Sequence, residues 1–415
     1  MIASKLSMSI NNNKSSTTAL LGCTALVFVL SSPQSFADEL PDSDNLNQLR
    51  VHGFLSQGYI KTNKNNFFGK STGDGSFDFR EVGLTASLRP LSKLQLSGQL
   101  LHRSAGEGSK GGIRIDFGFL DYNFINTPAK EFGARLGRMK NPLGFYNDTR
   151  DVPFTRPSIL LPQSIYFDRT RNLALASDGA QVYGESRADW GNITAQFGTV
   201  FPQVNDRDTE VSILGSGRLG DLKTRLSYIG RILYEQADGR FRLAFSGAQV
   251  NAGYDPGHND PLDSGSLKFT PLILSAQYNA EHWSVTSEYA LRMFHLQGFG
   301  VPALEQKFTG ESIYLQGIYR FFSNWETVLR YDVLFTDRKD RSGKKFNELT
   351  GRPTHNRFAR DLTFGLRWNA TPAIMLSAEY HRITGTAWLS PLDNTDLTQA
   401  GKHWNLFAFQ ASYRF

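Results

Sequence analysis

The feature of the sequence that most constrains the fold is an alternation of apolar and polar residues between residue 50 and the C-terminus. It recurs in segments of roughly ten to sixteen residues, whereas strands of globular sheets are usually about 5–6 residues long. Alternation with a period of two places successive side chains on opposite faces of a strand. A tilted strand that crosses a bilayer needs about 9–11 residues. The pattern therefore predicts long strands with one apolar and one polar face.

The last segment, residues 402–415, shows the alternation most clearly. One face carries Phe407, Phe409, Ala411, Tyr413 and Phe415, and the other carries Leu406, Ala408, Gln410, Ser412 and Arg414. Residues 324–337 and 356–370 repeat the pattern. Aromatic side chains gather near the ends of such segments, as they do at the two interfaces of a membrane. These aromatic residues are Trp283, Trp325, Trp368 and Tyr413.

The connections between the segments alternate between short and long. Short turns lie near residues 89–92, 126–129, 188–191, 236–239, 279–282, 323–324 and 369–372. Longer polar stretches lie near residues 62–76, 104–112, 140–177, 201–220, 253–265, 298–308, 338–355 and 389–401. This rhythm predicts an all-β fold, a transmembrane antiparallel β-barrel of about sixteen strands with short periplasmic turns and long outer loops. The predicted number of strands is sixteen plus or minus two, because apolar and polar residues alternate poorly in residues 50–60 and 210–220.

The first 37 residues are predicted to be a secretory signal peptide. They have a charged start, an apolar middle and small residues at the −3 and −1 positions of the cleavage site. These features are Lys5 and Lys14, residues 19–30, and Ser35 and Ala37. The predicted division of the chain is a signal peptide at residues 1–37, a periplasmic lead at 38–49 and a barrel at 50–415, with a constriction loop at 140–177.

An alternative interpretation of the N-terminus is a lipoprotein signal, because Leu20-Leu21-Gly22-Cys23 resembles a lipobox. The ordinary signal peptide is preferred, because the apolar run continues well past Cys23. Removing the signal peptide takes away two lysines, so the formal net charge falls from +6 to +4. It also removes Cys23, the only cysteine, so no disulfide is expected in the exported chain.

The C-terminal Phe415, with Tyr413 two residues before it, resembles the terminal signature that the barrel assembly machinery reads in outer-membrane proteins. In length and rhythm the chain is similar to the sixteen-stranded porins. The stretch Leu-Gly-Arg-Met-Lys-Asn-Pro-Leu-Gly at residues 136–144 resembles the phosphate-selective porin O/P group. The resemblance implies a homotrimer in the outer membrane of a Gram-negative bacterium, in contact with outer-membrane lipid and lipopolysaccharide.

The third outer loop, residues 140–177, is the predicted constriction. Sixteen strands enclose a lumen too wide for side chains to fill, and in porins the third outer loop folds inward. Prolines restrict the path of this loop, and they are Pro142, Pro153, Pro157 and Pro162. Its predicted constriction residues are Arg138, Lys140, Arg150, Arg156, Arg169, Arg171, Asp148, Asp151 and Asp168.

The charges of this segment favour anions, since six are basic and three are acidic. Guanidinium groups at a constriction attract anions and repel cations. The alternative is that the charges form ion pairs that fix the loop, such as Asp148 with Arg150 and Asp168 with Arg169 or Arg171.

The barrel wall carries charges that alternation places inward, because a charge facing lipid costs about 2–4 kcal/mol at the midplane. The predicted wall residues are Arg225, Arg240, Arg242, Arg292, Arg330, Arg367, Glu288, Asp332, Asp361 and Glu379. The alternative for these residues is ion pairing between adjacent strands, without contact to a solute.

The predicted function is a porin, a water-filled channel for passive diffusion of small hydrophilic solutes with a preference for anions. The alternative is a channel specific for phosphate, sulfate or an organic acid. A more distant alternative is an outer-membrane barrel enzyme, but the chain has neither H-E-x-x-H nor G-x-S-x-G. No cofactor or metal is predicted. Nucleic acid is not a predicted partner, because the basic residues are spread among acidic ones.

Overall fold

The computed structural model describes residues 47–204 and 206–415, which form sixteen strands. The predicted signal peptide and residues 38–46 of the predicted lead lie outside the described residues. The strands are β1 Arg50–Thr62, β2 Ser76–Leu91, β3 Leu94–Ser104, β4 Lys110–Asn126, β5 Lys130–Lys140, β6 Ala176–Ala188, β7 Gly191–Pro202, β8 Asp221–Gln236, β9 Phe241–Asp255, β10 Ser266–Asn279, β11 Trp283–Gln297, β12 Gln306–Phe321, β13 Trp325–Phe335, β14 Phe358–Asn369, β15 Ile374–Gly385 and β16 His403–Arg414.

In residues 47–204 and 206–415, helical structure is found only in the outer loops. The α-helices of the described residues are α1 Asn172–Leu175, α2 Arg207–Leu214 and α3 Lys344–Thr350, and the short 3-10 helices are Pro153–Thr155, Pro302–Leu304 and Thr354–Arg357. Within residues 47–204 and 206–415, no helix has the length and apolar character needed to cross a membrane.

Each strand pairs antiparallel with its neighbours in the chain, and β1 pairs with β16 to close the barrel. Closure satisfies the backbone groups of every strand, which is what a sheet in lipid requires. The predicted all-β antiparallel barrel of sixteen strands is confirmed. The weak alternation near residues 210–220 has a simple cause, because α2 and the rest of an outer loop occupy that stretch.

The two faces of the strands have the predicted character. In β16, Phe407 and Phe409 point outward and are exposed, whereas Gln410 and Ser412 point inward and are buried. In β13, Leu329 is exposed on the outer face. An outward apolar face and a polar, packed interior are the reverse of a soluble protein, so the barrel has the surface of a protein that spans a membrane.

Aromatic side chains line the periplasmic end of the outer face. The ring centroids of Trp325 and Trp368 lie 5.5 Å apart, and those of Tyr278 and Trp283 lie 5.3 Å apart. These four residues lie at the turn ends of their strands. They form one girdle, which marks the inner interface of the membrane.

The seam between the first and last strands depends on a glycine. The amide of Phe415 donates to the carbonyl of Gly53, and the amide of Gly53 donates to the carbonyl of Phe415, both at 3.0 Å. The ring of Phe415 lies directly over Gly53, and a Cβ atom at that position would be 2.3 Å from the ring. A side chain at position 53 would therefore occupy the space that the ring of Phe415 fills.

We expect Gly53→Val to destabilise the barrel by about 1–3 kcal/mol, because the added side chain must displace the ring of Phe415. The measurement is the temperature at which the fast-migrating folded band disappears in semi-native electrophoresis. Gly317→Val is the control, since Gly317 also lies in a strand and no atom lies within 4 Å of an added Cβ. Equal transition temperatures in the two variants would contradict the prediction.

Candidate pore constriction

The connection between β5 and β6, residues 141–175, lies inside the barrel and is called L3 here. Near its start, the amide of Gly144 donates to Ser246 of β9 at 2.8 Å. Further along, the amide of Ser164 donates to Asp332 of β13 at 3.2 Å. Since β5, which L3 leaves, and β13 are eight strands apart and thus on opposite sides of the barrel, L3 crosses the lumen instead of following one wall.

Glu288 of β11 anchors L3 on one side of the lumen. Its carboxylate accepts hydrogen bonds from Tyr166 Oη at 2.6 Å and from the amide of Phe145 at 2.9 Å, both in L3. It also accepts from Tyr314 and Ser275 of the wall, at 2.8 and 2.6 Å. A fully buried carboxylate needs such donors. The predicted inward position of Glu288 thus serves to hold the loop.

Glu81 of β2 anchors L3 on the opposite side. Arg156 of L3 donates to its two carboxylate oxygens at 3.2 and 2.7 Å, and both side chains are buried. Such a bidentate pair fixes orientation as well as distance. Sequence reasoning missed Glu81, although an acidic residue at an inward position of a long strand was the available signal.

Two further wall residues hold the middle of L3. Arg330 of β13 donates to Ser158 Oγ at 2.8 Å and to the carbonyl of Leu160 at 3.0 Å. Glu379 of β15 accepts from the amides of Ile159 and Leu160. The backbone groups of this part of L3 are thus satisfied by charged side chains of the wall, as buried backbone groups must be.

Most charges of L3 are paired. Lys140 contacts Asp116 and Asp151, and Arg171 contacts Asp151. Arg150 donates to the carbonyl of Tyr166 at 2.9 Å and lies 3.5 Å from Asp168. The predicted excess of basic charge in the segment is therefore reduced by acids of the wall, mainly Glu81 and Asp116.

The predicted pairs within L3 form only in part. Asp148 pairs with Arg231 of β8 at 2.8 Å and not with Arg150. Asp168 pairs most closely with Arg103 of β3, at 2.8 Å, and its distance to Arg171 is 3.6 Å. The wall partners Arg103 and Arg231 were missed, because a loop sequence does not reveal which strands it will touch.

Three predicted pore residues lie elsewhere. Arg138 faces outward, because it lies two residues after the outward Leu136 in β5. There it donates to both carboxylate oxygens of Asp178, at 2.7 and 3.0 Å. Arg225 faces outward because a bulge between Arg225 and Tyr228 changes the alternation of β8. Arg240 lies in the turn before β9, where its side chain is 64% exposed and pairs with Asp238.

The other predicted wall residues face inward. They are Arg242, Arg292, Arg330, Arg367, Glu288, Asp332, Asp361 and Glu379. Arg292 lies over the ring of Phe167 in L3, 4.6 Å from its centroid, and Arg242 lies 5.1 Å from the centroid of Phe145. Asp361 contacts the buried His381, which also contacts Glu379.

Several inward arginines in the described part of the chain have no carboxylate oxygen within 4.0 Å. They include Arg114, Arg169, Arg292 and Arg330. Arg292 and Arg330 are buried against L3, whereas Arg114 and Arg169 are partly exposed. A partly exposed guanidinium group without a carboxylate partner retains its charge for a mobile anion.

Arg114 and Arg169 line a cavity of about 50 Å³ at the outer mouth of the lumen. The cavity is closed by four outer loops, L1 (residues 63–75), L2 (105–109), L4 (203–220) and L8 (386–402). Its other charged lining residues are Arg103, Arg171, Asp168, Asp206, Asp208 and Asp393. Phe67 of L1 packs against Trp388 of L8 with ring centroids 5.1 Å apart, which joins L1 to L8.

Asp208 joins L4 to L8. It lies in α2, and its Oδ1 accepts a hydrogen bond from Ser390 Oγ at 2.8 Å. Burial raises the pKa of Asp208 to about 7. The negative charges of Asp206 and Asp393 act in the same direction, whereas the hydrogen bond from Ser390 and the positive charge of Arg169 oppose the rise. The closed arrangement of these loops therefore favours the protonated form of the carboxyl group.

Comparison with known proteins relates the fold to solved structures. No protein-family model and no curated protein matches the chain. The outer membrane channel DcaP of Acinetobacter baumannii superposes with a TM-score of 0.57 at 14% identity, over 90% of this chain and 99% of that one. The anion-selective porin from Comamonas acidovorans gives 0.56 at 12% identity, over 89% and 100%. The trimer form of OmpT, an outer membrane protein of Vibrio cholerae, gives 0.54 at 12% identity, over 89% and 100%.

The chain has the fold of the Gram-negative outer-membrane porins. Almost the whole of each solved barrel is matched, so the predicted resemblance to porins is confirmed at the level of the fold. The closer resemblance of residues 136–144 to the phosphate-selective porin O/P group stays a prediction. In this porin fold, L3 occupies the lumen and the four closing loops occupy its outer mouth.

We expect the contact between L4 and L8 to weaken as the pH rises through about 7. The closed state raises the pKa of Asp208 above its usual value, so closure binds a proton and is favoured below that pH. The measurement is the distance between spin labels on Arg207→Cys and Thr395→Cys at pH 5.5 and pH 8.5. Asp208→Asn should keep the short distance at both values, and a pH response in that variant would contradict the assignment to Asp208.

Proposed function

We propose that the protein is an outer-membrane porin, a passive channel for small hydrophilic solutes. The observation that carries the proposal is L3, which crosses the lumen of a sixteen-stranded barrel and is held there by wall residues on opposite sides. A barrel of this size conducts water unless something enters it. A loop anchored in this way sets the width of the path for a solute.

A preference for anions is the second part of the proposal. Most charges of L3 are neutralised in ion pairs, so the preference rests on a few arginines and not on the whole loop. Arg114 and Arg169 line the cavity at the outer mouth without a carboxylate within 4.0 Å in the described part of the chain. Their charge is available to an anion in this cavity, which Asp168, Asp206, Asp208 and Asp393 also line.

The remaining parts of the proposal concern location and assembly. We place the mature chain, without residues 1–37, in the outer membrane of a Gram-negative bacterium, inserted by the barrel assembly machinery through the signature at Tyr413 and Phe415. A homotrimer is proposed, supported by the fold shared with a barrel described in a trimer form. No catalytic activity is proposed.

A channel with a specific anion site is the second candidate. The cavity that favours it is lined by Arg103, Arg114, Arg169 and Arg171, of which Arg103 and Arg171 are paired with carboxylates and Arg114 and Arg169 are not. Phosphate, sulfate and small carboxylates suit such a group, because guanidinium binds planar or tetrahedral oxyanions through paired hydrogen bonds.

The test of the main proposal is conductance of the refolded mature protein in a planar bilayer. Stepwise conductance with a reversal potential shifted towards that of chloride across a KCl gradient is expected. Block by millimolar phosphate or sulfate would favour the specific channel. Folded protein that gives no conductance at any pH between 5.5 and 8.5 would contradict the porin proposal.

We expect Arg114→Gln with Arg169→Gln to lower the permeability ratio of chloride to potassium, by up to about fivefold for each charge removed. The physical reason is the loss of two inward guanidinium groups at the outer mouth. The control is Arg360→Gln with Arg382→Gln, since both of these residues lie on the outer face of the barrel. An equal change in the control would show that the overall charge of the protein, and not the cavity at the outer mouth, determines ion selectivity.

A further inference from the structure

A row of four basic residues and one asparagine crosses the outer face of five neighbouring strands, β8 to β12. Its members are direct cross-strand partners of one another, and they are Arg225, Asn251, Lys268, His295 and Lys307. Directly paired residues of antiparallel strands share a face and lie about 4.5–5.5 Å apart at Cβ. The row therefore forms one continuous stripe, about 20 Å long.

The stripe points away from the lumen. Leu267 and Phe269 flank Lys268 in β10 and are buried on the inner face, whereas Lys268 is exposed. Val250 and Ala252 flank Asn251 in the same way. Arg225, misassigned to the lumen from the sequence, belongs to this outer stripe.

The stripe lies at one depth along the barrel. From Lys268 to Tyr278, a member of the aromatic girdle, β10 runs ten residues. At about 3.3 Å per residue and a tilt of about 40°, this is roughly 25 Å along the membrane normal, the height of the apolar band of such barrels. The outward residues between them carry no charge, and they are Thr270, Leu272, Leu274 and Ala276. The stripe thus lies at the outer interface of the membrane.

The cations of the stripe are not neutralised by the protein. In residues 47–204 and 206–415, no carboxylate oxygen lies within 4.0 Å of Arg225, Lys268 or Lys307. The nearby outward Glu311 is occupied by Arg341, at 2.6 Å. Three cations without a paired carboxylate and a histidine, side by side on one face, attract anions.

The stripe also borders an open groove. A cavity of about 400 Å³ is lined by Arg225, Asn251, Lys268 and His295, together with Gln297 at its upper edge. A groove of this volume accepts a group much larger than an inorganic ion. Below it, towards the membrane, the surface is apolar.

We infer that this stripe binds the phosphate groups of lipid A, the anionic lipid of the outer leaflet, with its acyl chains on the apolar surface below. Lysine and arginine at a membrane interface attract anionic headgroups, each by about fivefold in affinity. Lipid A fits the position, because its phosphates lie at the outer interface and its chains lie beneath them. The inference rests on the proposed outer-membrane location and is independent of conduction.

The test is binding of lipid A to the refolded mature protein in detergent, followed by native mass spectrometry. Arg225→Gln, Lys268→Gln and Lys307→Gln together should weaken binding of bisphosphorylated lipid A about a hundredfold. The control removes the same charge from the outer loop between β13 and β14, with Lys339→Gln, Lys344→Gln and Lys345→Gln, and should bind as the wild type does. Lipid A without phosphates should bind the wild type as weakly as the triple variant binds the native lipid.

Three results would overturn the inference: no binding by the wild type, equal weakening in the control, or equal binding of the dephosphorylated lipid. Semi-native electrophoresis checks that each variant is folded. If the triple variant does not fold, the three single variants replace it, and each is expected to bind lipid A about fivefold more weakly than the wild type. Conductance of the triple variant should equal that of the wild type, since the stripe faces outward. Loss of lipid binding and loss of conduction are therefore separate outcomes.

Discussion

The arrangement of the whole interior depends on a few buried carboxylates of the barrel wall. A chain segment that enters a wide lumen loses its contacts with water, so its backbone groups and charges need partners in the protein. Glu81, Glu288 and Glu379 supply those partners at three positions around the barrel. Removing one side of such a pair costs far more than the pair contributes, because a buried charge is left unpaired. The network therefore determines the position of L3 more than it raises overall stability.

This network also explains why a count of charges is a poor guide to selectivity. The basic residues of the segment from Lys140 to Arg171 outnumber its acids, yet Lys140, Arg156 and Arg171 all contact carboxylates. The charges that can act on a solute are those left unpaired, namely the partly exposed arginines without a carboxylate oxygen within 4.0 Å. In this barrel they include Arg114 and Arg169, which lie in the cavity at the outer mouth together with Asp206, Asp208 and Asp393.

The fold could be predicted almost completely from the sequence, because every strand of a barrel in lipid obeys the same alternation. The strand count and the rhythm of short and long connections follow from it. The site could be predicted only in part. Which strands L3 would touch depends on the path of a loop, so Arg103 and Arg231 gave no signal in the sequence. A single bulge was enough to move Arg225 from the predicted inner face to the outer one, since one extra residue reverses the alternation.

The pairing of Phe415 with Gly53 has a consequence for the order in which the barrel folds. The contact that closes the barrel joins the first strand to the last residue of the chain. No closed intermediate can form while the chain is still being made or exported, since the final hydrogen bonds require its end. Contacts of such long sequence separation make folding slow and leave sheet edges open until late. Without β16, both β1 and β15 would have an unpaired edge, so the barrel can close only after the last strand is in place.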